Sequence, residues 1–285
     1  MIRQTMKHYV VDYRSSQGDV SVAVAAIGVG PRIVLLPSVG RDVEDFFPIA
    51  RRLADRGCRA LMPSPRGLGG SRGPLVGINL EDFARDVAEV IRQDATVGRD
   101  GAEAKANNGT GVLVAGHAFG NWIARMTATR HPELVRGVAL LAAAQRDFPR
   151  RLRDTIDRIM DATRPESARL ADLQDAFFAP GHDARAWLEG WHPQVAHAQR
   201  EAARASPAQA WWSAGGVPLL DVQADNDPFA PRSGAHLLQE ELGPRVSIAL
   251  IEDAGHALLP EQPAAVADVL AAFSAKLDAN PYANP

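Results

Sequence analysis

The chain of 285 residues contains a single cysteine, so no intramolecular disulfide can form and its stability does not depend on an oxidising compartment. That cysteine, Cys58, stands where an apolar run begins, the place of a small core residue. No apolar stretch approaches the length of a membrane span, and residues 1–8 lack the hydrophobic run of a secretory leader, so a cytoplasmic protein is expected. Neither sign of charge is in surplus. Lys and Arg number 31 against 34 Asp and Glu, a net charge of -3, which provides no concentrated basic face for a nucleic acid. The one arginine-rich piece, 146–158, is interleaved with Asp147, Asp154 and Asp157 and reads as a solvated helix face. His, Cys, Asp and Glu are nowhere set at metal-ligand spacing, so neither a metal nor any other cofactor is expected.

What is present fits one large α/β domain carrying an insertion. Residues 7–13 and 19–27 flank a Ser-Ser-Gln-Gly-Asp turn and predict an antiparallel hairpin at a sheet edge. Strands and helices then alternate: strand 33–36, helix 44–56, strand 58–62, helix 80–94. A turn-rich surface loop follows at 96–110, then the apolar strand 111–115, a helix from about Phe119 and the strand 138–141. The alternation stops over 146–213, where no strand is predicted, and resumes with strand 217–222, helix 232–241, strand 246–251 and helix 263–277. The expected architecture is a mostly parallel sheet flanked by helices, built from 1–145 and 214–285, with 146–213 as a helical lid inserted after the sixth strand. The tail 280–285 is expected to fray.

Five segments carry chemistry. They are Leu35-Leu36-Pro37-Ser38-Val39-Gly40, the stretch 63–71, Gly116-His117-Ala118-Phe119-Gly120, Gln223-Ala224-Asp225-Asn226-Asp227-Pro228, and Asp253-Ala254-Gly255-His256. In this order and spacing the chain resembles the α/β-hydrolase superfamily, in its lidded serine esterase or lactonase branch. Residues 116–120 are similar to the Gly-x-Ser-x-Gly nucleophile elbow, with alanine where serine is expected. A methyl group cannot attack a carbonyl, so the covalent chemistry cannot run on the chain as it stands.

The resemblance implies roles for the neighbouring residues. Asp227 would be the triad acid, with Asp225 as its competitor, and His256 the general base. Backbone N–H groups of Val39 and Phe119 would form the oxyanion hole, although Pro37-Ser38 replaces the His-Gly pair usual in that loop. Ser38 and His117 are possible substrate contacts. So are Phe178, Trp187, Trp191 and Trp212 of the lid, whose aromatic surfaces suit a bulky apolar ligand. Residues 178–183 are expected to be a mobile turn between lid helices.

Three origins of Ala118 compete: a Ser→Ala change in a competent hydrolase, an inherited loss that leaves a binding protein, or an original aspartate. Retention of Asp227 and His256 favours the first, and Phe119 with Pro37-Ser38 departs from the pattern of the third. The expected activity is hydrolysis of carboxylic esters or lactones, a macrocyclic lactone such as a macrolide antibiotic being one instance. Amides, β-diketones, perhydrolysis and acyl transfer use the same fold and remain open. The alternative from another class is a non-catalytic receptor for a small molecule on the same scaffold.

Overall fold

The computed structural model describes residues 4–97, 111–143 and 150–279. The expectations for residues 1–3, for most of the 96–110 loop, for the first lid residues 146–149 and for the 280–285 tail lie outside these.

Eight strands form one sheet: β1 (Lys7–Ser15), β2 (Gly18–Ile27), β3 (Arg32–Leu36), β4 (Arg59–Pro63), β5 (Val112–His117), β6 (Val135–Leu141), β7 (Leu219–Ala224) and β8 (Val246–Ile251). Their order is β1-β2-β4-β3-β5-β6-β7-β8. The β1–β2 hairpin is antiparallel at one edge, β2 pairs antiparallel with β4, and every later pairing is parallel. Strands β5 and β6 are buried along their whole length because helices cover both faces, which is why they read as unbroken apolar runs rather than alternating ones.

The helices are α1 (Phe47–Asp55), α2 (Leu80–Val97), α3 (Gly120–Arg130), α4 (Arg150–Met160), α5 (Glu166–Phe177), α6 (Pro193–Arg204), α7 (Leu237–Leu242), α8 (Leu258–Glu261) and α9 (Pro263–Ala279). Two apolar cores lie on opposite faces of the sheet. One gathers Ile33, Leu35 and Met62 with Phe46, Ile49 and Leu270, the other Val34, Leu61 and Val114 with Phe83, Ile123 and Met126. Alternate residues of β3 therefore feed opposite cores, as the pleat requires.

Between β6 and β7 the chain leaves the sheet, and α4, α5 and α6 follow one another with no strand among the described residues of 150–213. Arg41 fastens this insertion to the sheet. Its guanidinium bonds both oxygens of Asp45 and the Glu189 carbonyl, and stacks 5.0 Å from the Trp187 ring and 4.8 Å from that of Trp191. Among the described residues no helix is long and apolar enough to cross a membrane.

Candidate active site

The turn from β5 into α3 decides the centre of the site. Ala118 has a φ of +44°, a left-handed conformation unusual for a residue with a side chain, and its N–H is held by the Leu141 carbonyl at 3.0 Å. Glycine is required on either side. A Cβ on Gly116 would lie 2.2 Å from the Gly120 backbone, and one on Gly120 would lie 2.3 Å from the Leu36 carbonyl oxygen. The strand, the helix and the loop after β3 are thus pressed together around residue 118.

His256 and Asp227 meet beside it. Imidazole Nδ1 lies 3.0 Å and 3.1 Å from the two carboxylate oxygens, and both residues are 3% exposed. Asp227 also accepts the Phe229 N–H at 2.8 Å. This arrangement assigns the Nδ1 proton to the side facing Asp227 and leaves Nε2 as an acceptor. Asp225, the competing carboxylate, instead accepts the N–H groups of Asp253 and Ala254 and shapes the loop before the histidine.

A cleft of about 630 Å³ opens above these groups. Its floor includes Ser38, Val39, Ala118, Phe119 and His256, and Trp122, Phe177, Trp191 and Phe229 supply aromatic wall. Among the described residues, neither the Val39 nor the Phe119 N–H donates to a protein acceptor. The sequence profile of the alpha/beta hydrolase family matches residues 33–269. The chain belongs to that family.

Solved structures of the hydrolase fold agree over nearly the whole chain. An esterase from Thermogutta terrifontis, with malate bound, has a TM-score of 0.71 at 19% identity, covering 95% of this chain and 99% of its own. An esterase from Exiguobacterium antarcticum gives 0.70 at 21% identity over 93% and 99%. A bromoperoxidase from Bacillus anthracis gives 0.72 at 16% identity over 95% and 100%. No curated protein sequence matches. At these identities the likeness establishes the fold.

Several expected substrate contacts do not line the hydrolase cleft. His117 is fully buried, and its Nε2 lies 2.8 Å from the His256 carbonyl, so it ties the elbow to the histidine loop. Trp187 and Phe178 pack into the core beneath the insertion, where Trp187 touches His117, Phe177 and Phe178. Trp212 lines a separate cavity of about 580 Å³ beside Asp221 and Gln223. Of the six expected contacts, Ser38 and Trp191 line the cleft.

Residues 178–183 contact the segment 253–261 at two points, Ala179 and His182. Glu261 accepts the Ala179 N–H at 2.6 Å and the Gly255 N–H at 2.7 Å, Ala257 N–H reaches the Phe177 carbonyl at 2.8 Å, and His182 lies 3.1 Å from Asp253. The end of α5 and the histidine loop therefore form one hydrogen-bonded unit. The charged side chains of the described part of the arginine-rich piece are exposed, as a solvated face is, and Arg150, Arg153, Asp154 and Asp157 of that face stand at the cleft.

Four residues that the sequence did not single out complete the site. Trp122 and Phe229 form wall, and the Phe229 ring lies 4.2 Å from the imidazole. Asn121 donates to the Ala118 carbonyl and accepts from Arg125 at 3.1 Å, bracing the elbow from within α3. Gln199 of α6 is fully buried and accepts the Gly40 N–H at 2.8 Å, next to Val39. The Gly40 carbonyl accepts from His192 at 2.9 Å, so the insertion grips both polar groups of that residue. Nothing local marks Gln199, since the contact joins residues 159 apart in sequence.

Gln199 is thus a positioning residue for the loop that carries the Val39 N–H. Gln199→Leu leaves the Gly40 N–H buried without an acceptor and is expected to cost about 1–3 kcal/mol of stability by denaturant unfolding. Gln199→Glu keeps the acceptor only by burying a carboxylate, so its loss is expected to be at least as large at neutral pH and to shrink as the carboxyl is protonated at lower pH. No loss in Gln199→Leu would mean that packing, not the hydrogen bond, is what Gln199 supplies.

His117 imposes a pH dependence of its own. Burial, and then the neighbouring His256, push its pKa from 6.5 down to about 3. Below pH 6.5 the unfolded chain takes up a proton that the native chain refuses, so stability is full above 6.5 and falls as pH drops towards 3. The slope from this group is about 1.4 kcal/mol per pH unit. Asp221 acts oppositely: burial raises it from 3.8 to about 6, so its contribution is full below 3.8 and lost as pH rises through 6. His117→Gln keeps a donor for the His256 carbonyl and cannot titrate. Its stability is expected to fall by about 2 kcal/mol less than the parent's between about pH 7 and pH 5. Identical falls in both proteins would place the acid sensitivity elsewhere.

Proposed function

We propose that this chain is built as a serine-type hydrolase of carboxylic esters or lactones with a bulky, mostly apolar part, and that Ala118 silences it. The observation that carries this reading is the buried His256–Asp227 pair set beside an elbow whose strained central residue is alanine. A buried carboxylate and imidazole are costly to keep without a proton to move, and a receptor has no use for that arrangement.

With serine at 118, the hydroxyl oxygen would attack the ester carbonyl while its proton passes to His256 Nε2. Asp227 stabilises the imidazolium, and the Val39 and Phe119 N–H groups would receive the charge on the carbonyl oxygen. The carbon–oxygen bond then breaks, the leaving alcohol takes the proton from Nε2, and an acyl-serine remains. Water, deprotonated by His256, attacks the acyl carbon and releases the acid and free serine. The insertion serves as the lid whose aromatic face bounds the substrate's apolar part.

An aryl phosphonate tests the reading directly. It is expected to add its mass covalently to the Ala118→Ser protein and not to the alanine form. The absence of an adduct on serine at 118 would favour the receptor reading, for which Ala118 itself is the supporting observation.

A further inference from the structure

The lid brings charged positions to the cleft as well as the apolar Ile156, Phe177 and Trp191. On α4 the charged cleft-lining positions Arg150, Arg153, Asp154 and Asp157 fall at i, i+3, i+4 and i+7, with Ile156 lining the cleft beside them. Across from it, α6 contributes Arg200 and Arg204. Among the described residues these six side chains carry the Arg, Lys, Asp and Glu charge of the lining, four positive against two negative, in a chain whose net charge is -3. Arg200 is paired with Asp157 across the gap between the two helices, and Arg204 with Glu201 on its own helix. With Glu201 counted, the described residues at this rim are four arginines against three acidic groups, beside the aromatic wall of Trp122, Phe177, Trp191 and Phe229.

We propose that the ligand of this cleft is an ester with an anionic group at the end away from the reacting carbonyl, its apolar part on the aromatic wall and its carboxylate or phosphate at the arginine rim. This rests on the ester-hydrolase reading and narrows it from a mostly apolar substrate to an amphipathic one. Guanidinium groups suit the task because their planar fork bonds two oxygens of a carboxylate or phosphate at once. A concave wall with a surplus of one charge also draws the opposite charge towards it before contact.

The protein with Ala118 allows the test without turnover, since it would hold an ester uncleaved. Titration calorimetry compares three esters of matched length: benzyl hexanoate, monobenzyl adipate and the benzyl ester of aminohexanoic acid. Monobenzyl adipate is expected to bind about tenfold more tightly than the neutral ester at low salt, with the advantage shrinking as salt is added. The double substitution Arg150→Gln with Arg153→Gln is expected to bring the two affinities within about twofold, and Asp154→Asn to widen the gap. All of these positions are exposed, so thermal midpoints are expected to stay at the parent value and report intact folding.

Affinities equal within twofold for all three esters would overturn the proposal, as would an adipate advantage that survives the arginine substitutions. Tighter binding of the aminohexanoate ester would give the recognising role to the aspartates and overturn it as well. Failure to bind monobenzyl adipate at millimolar concentration has the same consequence. The hydrolase reading is judged separately, by the Ala118→Ser protein on the neutral ester, so either idea can fall while the other stands.

Discussion

Ala118→Ser is expected to raise the hydrolysis of aryl esters from the uncatalysed background by at least ~10³-fold, followed by release of nitrophenol. The gain is large because the substitution adds only what is missing. Residue 118 already holds a φ of +44°, a cost the alanine protein bears in full, so serine adds an oxygen and no new backbone strain. The imidazole is already oriented by two contacts near 3 Å to Asp227, and the Phe229 ring against it limits its rotation. No gain on any ester or lactone would sink the hydrolase reading and leave the small-molecule receptor in its place.

The second large effect appears within that serine background. His256→Ala is expected to remove about 10⁴-fold of the acquired turnover, because among the described residues no other imidazole lines the cleft beside residue 118. Asp227→Asn is expected to cost nearly as much while leaving the fold intact, since an amide can present its N–H to Nδ1 and turn the imidazole into the wrong tautomer. Asp225→Asn provides the contrast. Its carboxylate accepts only backbone and side-chain amide N–H groups around the 253–254 turn, so a loss of a few-fold at most is expected. Full activity in His256→Ala would place the base elsewhere, and a large loss in Asp225→Asn would reverse the assignment of the acid.

Much of this site was legible in the linear chain, for a reason that is local. The elbow is announced by Gly116 and Gly120 because the approach of two backbones leaves no room for a Cβ at either, whatever the rest of the fold does. The parallel strands announce themselves because burial on both faces demands continuous apolar runs, as in β5 and β6. The helix starting beyond Phe119 and the hairpin at β1 and β2 follow from spacing within about ten residues. Asp227 and His256 were legible through order and motif, and their pairing across 29 positions became a distance only in three dimensions.

The lid was read less well, because its side chains answer to partners far away in the chain. Trp187 and Phe178 looked like substrate contacts in a helical stretch rich in aromatics, yet Arg41, Phe177 and His117 draw them into a packed cluster. The arginines and aspartates near 150–157 looked like a solvated face because charge at helical spacing usually meets water. They are exposed, as expected, and what the linear chain did not show is that this face stands at the cleft. Trp122 sits in the first turn of α3, two residues past the elbow, and its place on the cleft wall depends on α3 being aimed by that elbow.

The amino-acid order by itself determined the hydrolase scaffold, the glycine-flanked elbow with alanine at its centre, and the candidates proposed as acid and base. The scaffold and the elbow rest on steric or periodic demands that act over a few residues, and the two candidates on motif order. Tertiary structure alone decided what surrounds the reacting position: Gln199 holding the loop of Val39, Glu261 joining the lid to the histidine loop, and the arginine rim beside the aromatic wall. Those contacts join residues 82 to 159 positions apart where they cross between lid and core, and no local preference encodes them. They exist because burying the lid's apolar side brings particular polar groups within reach of one another.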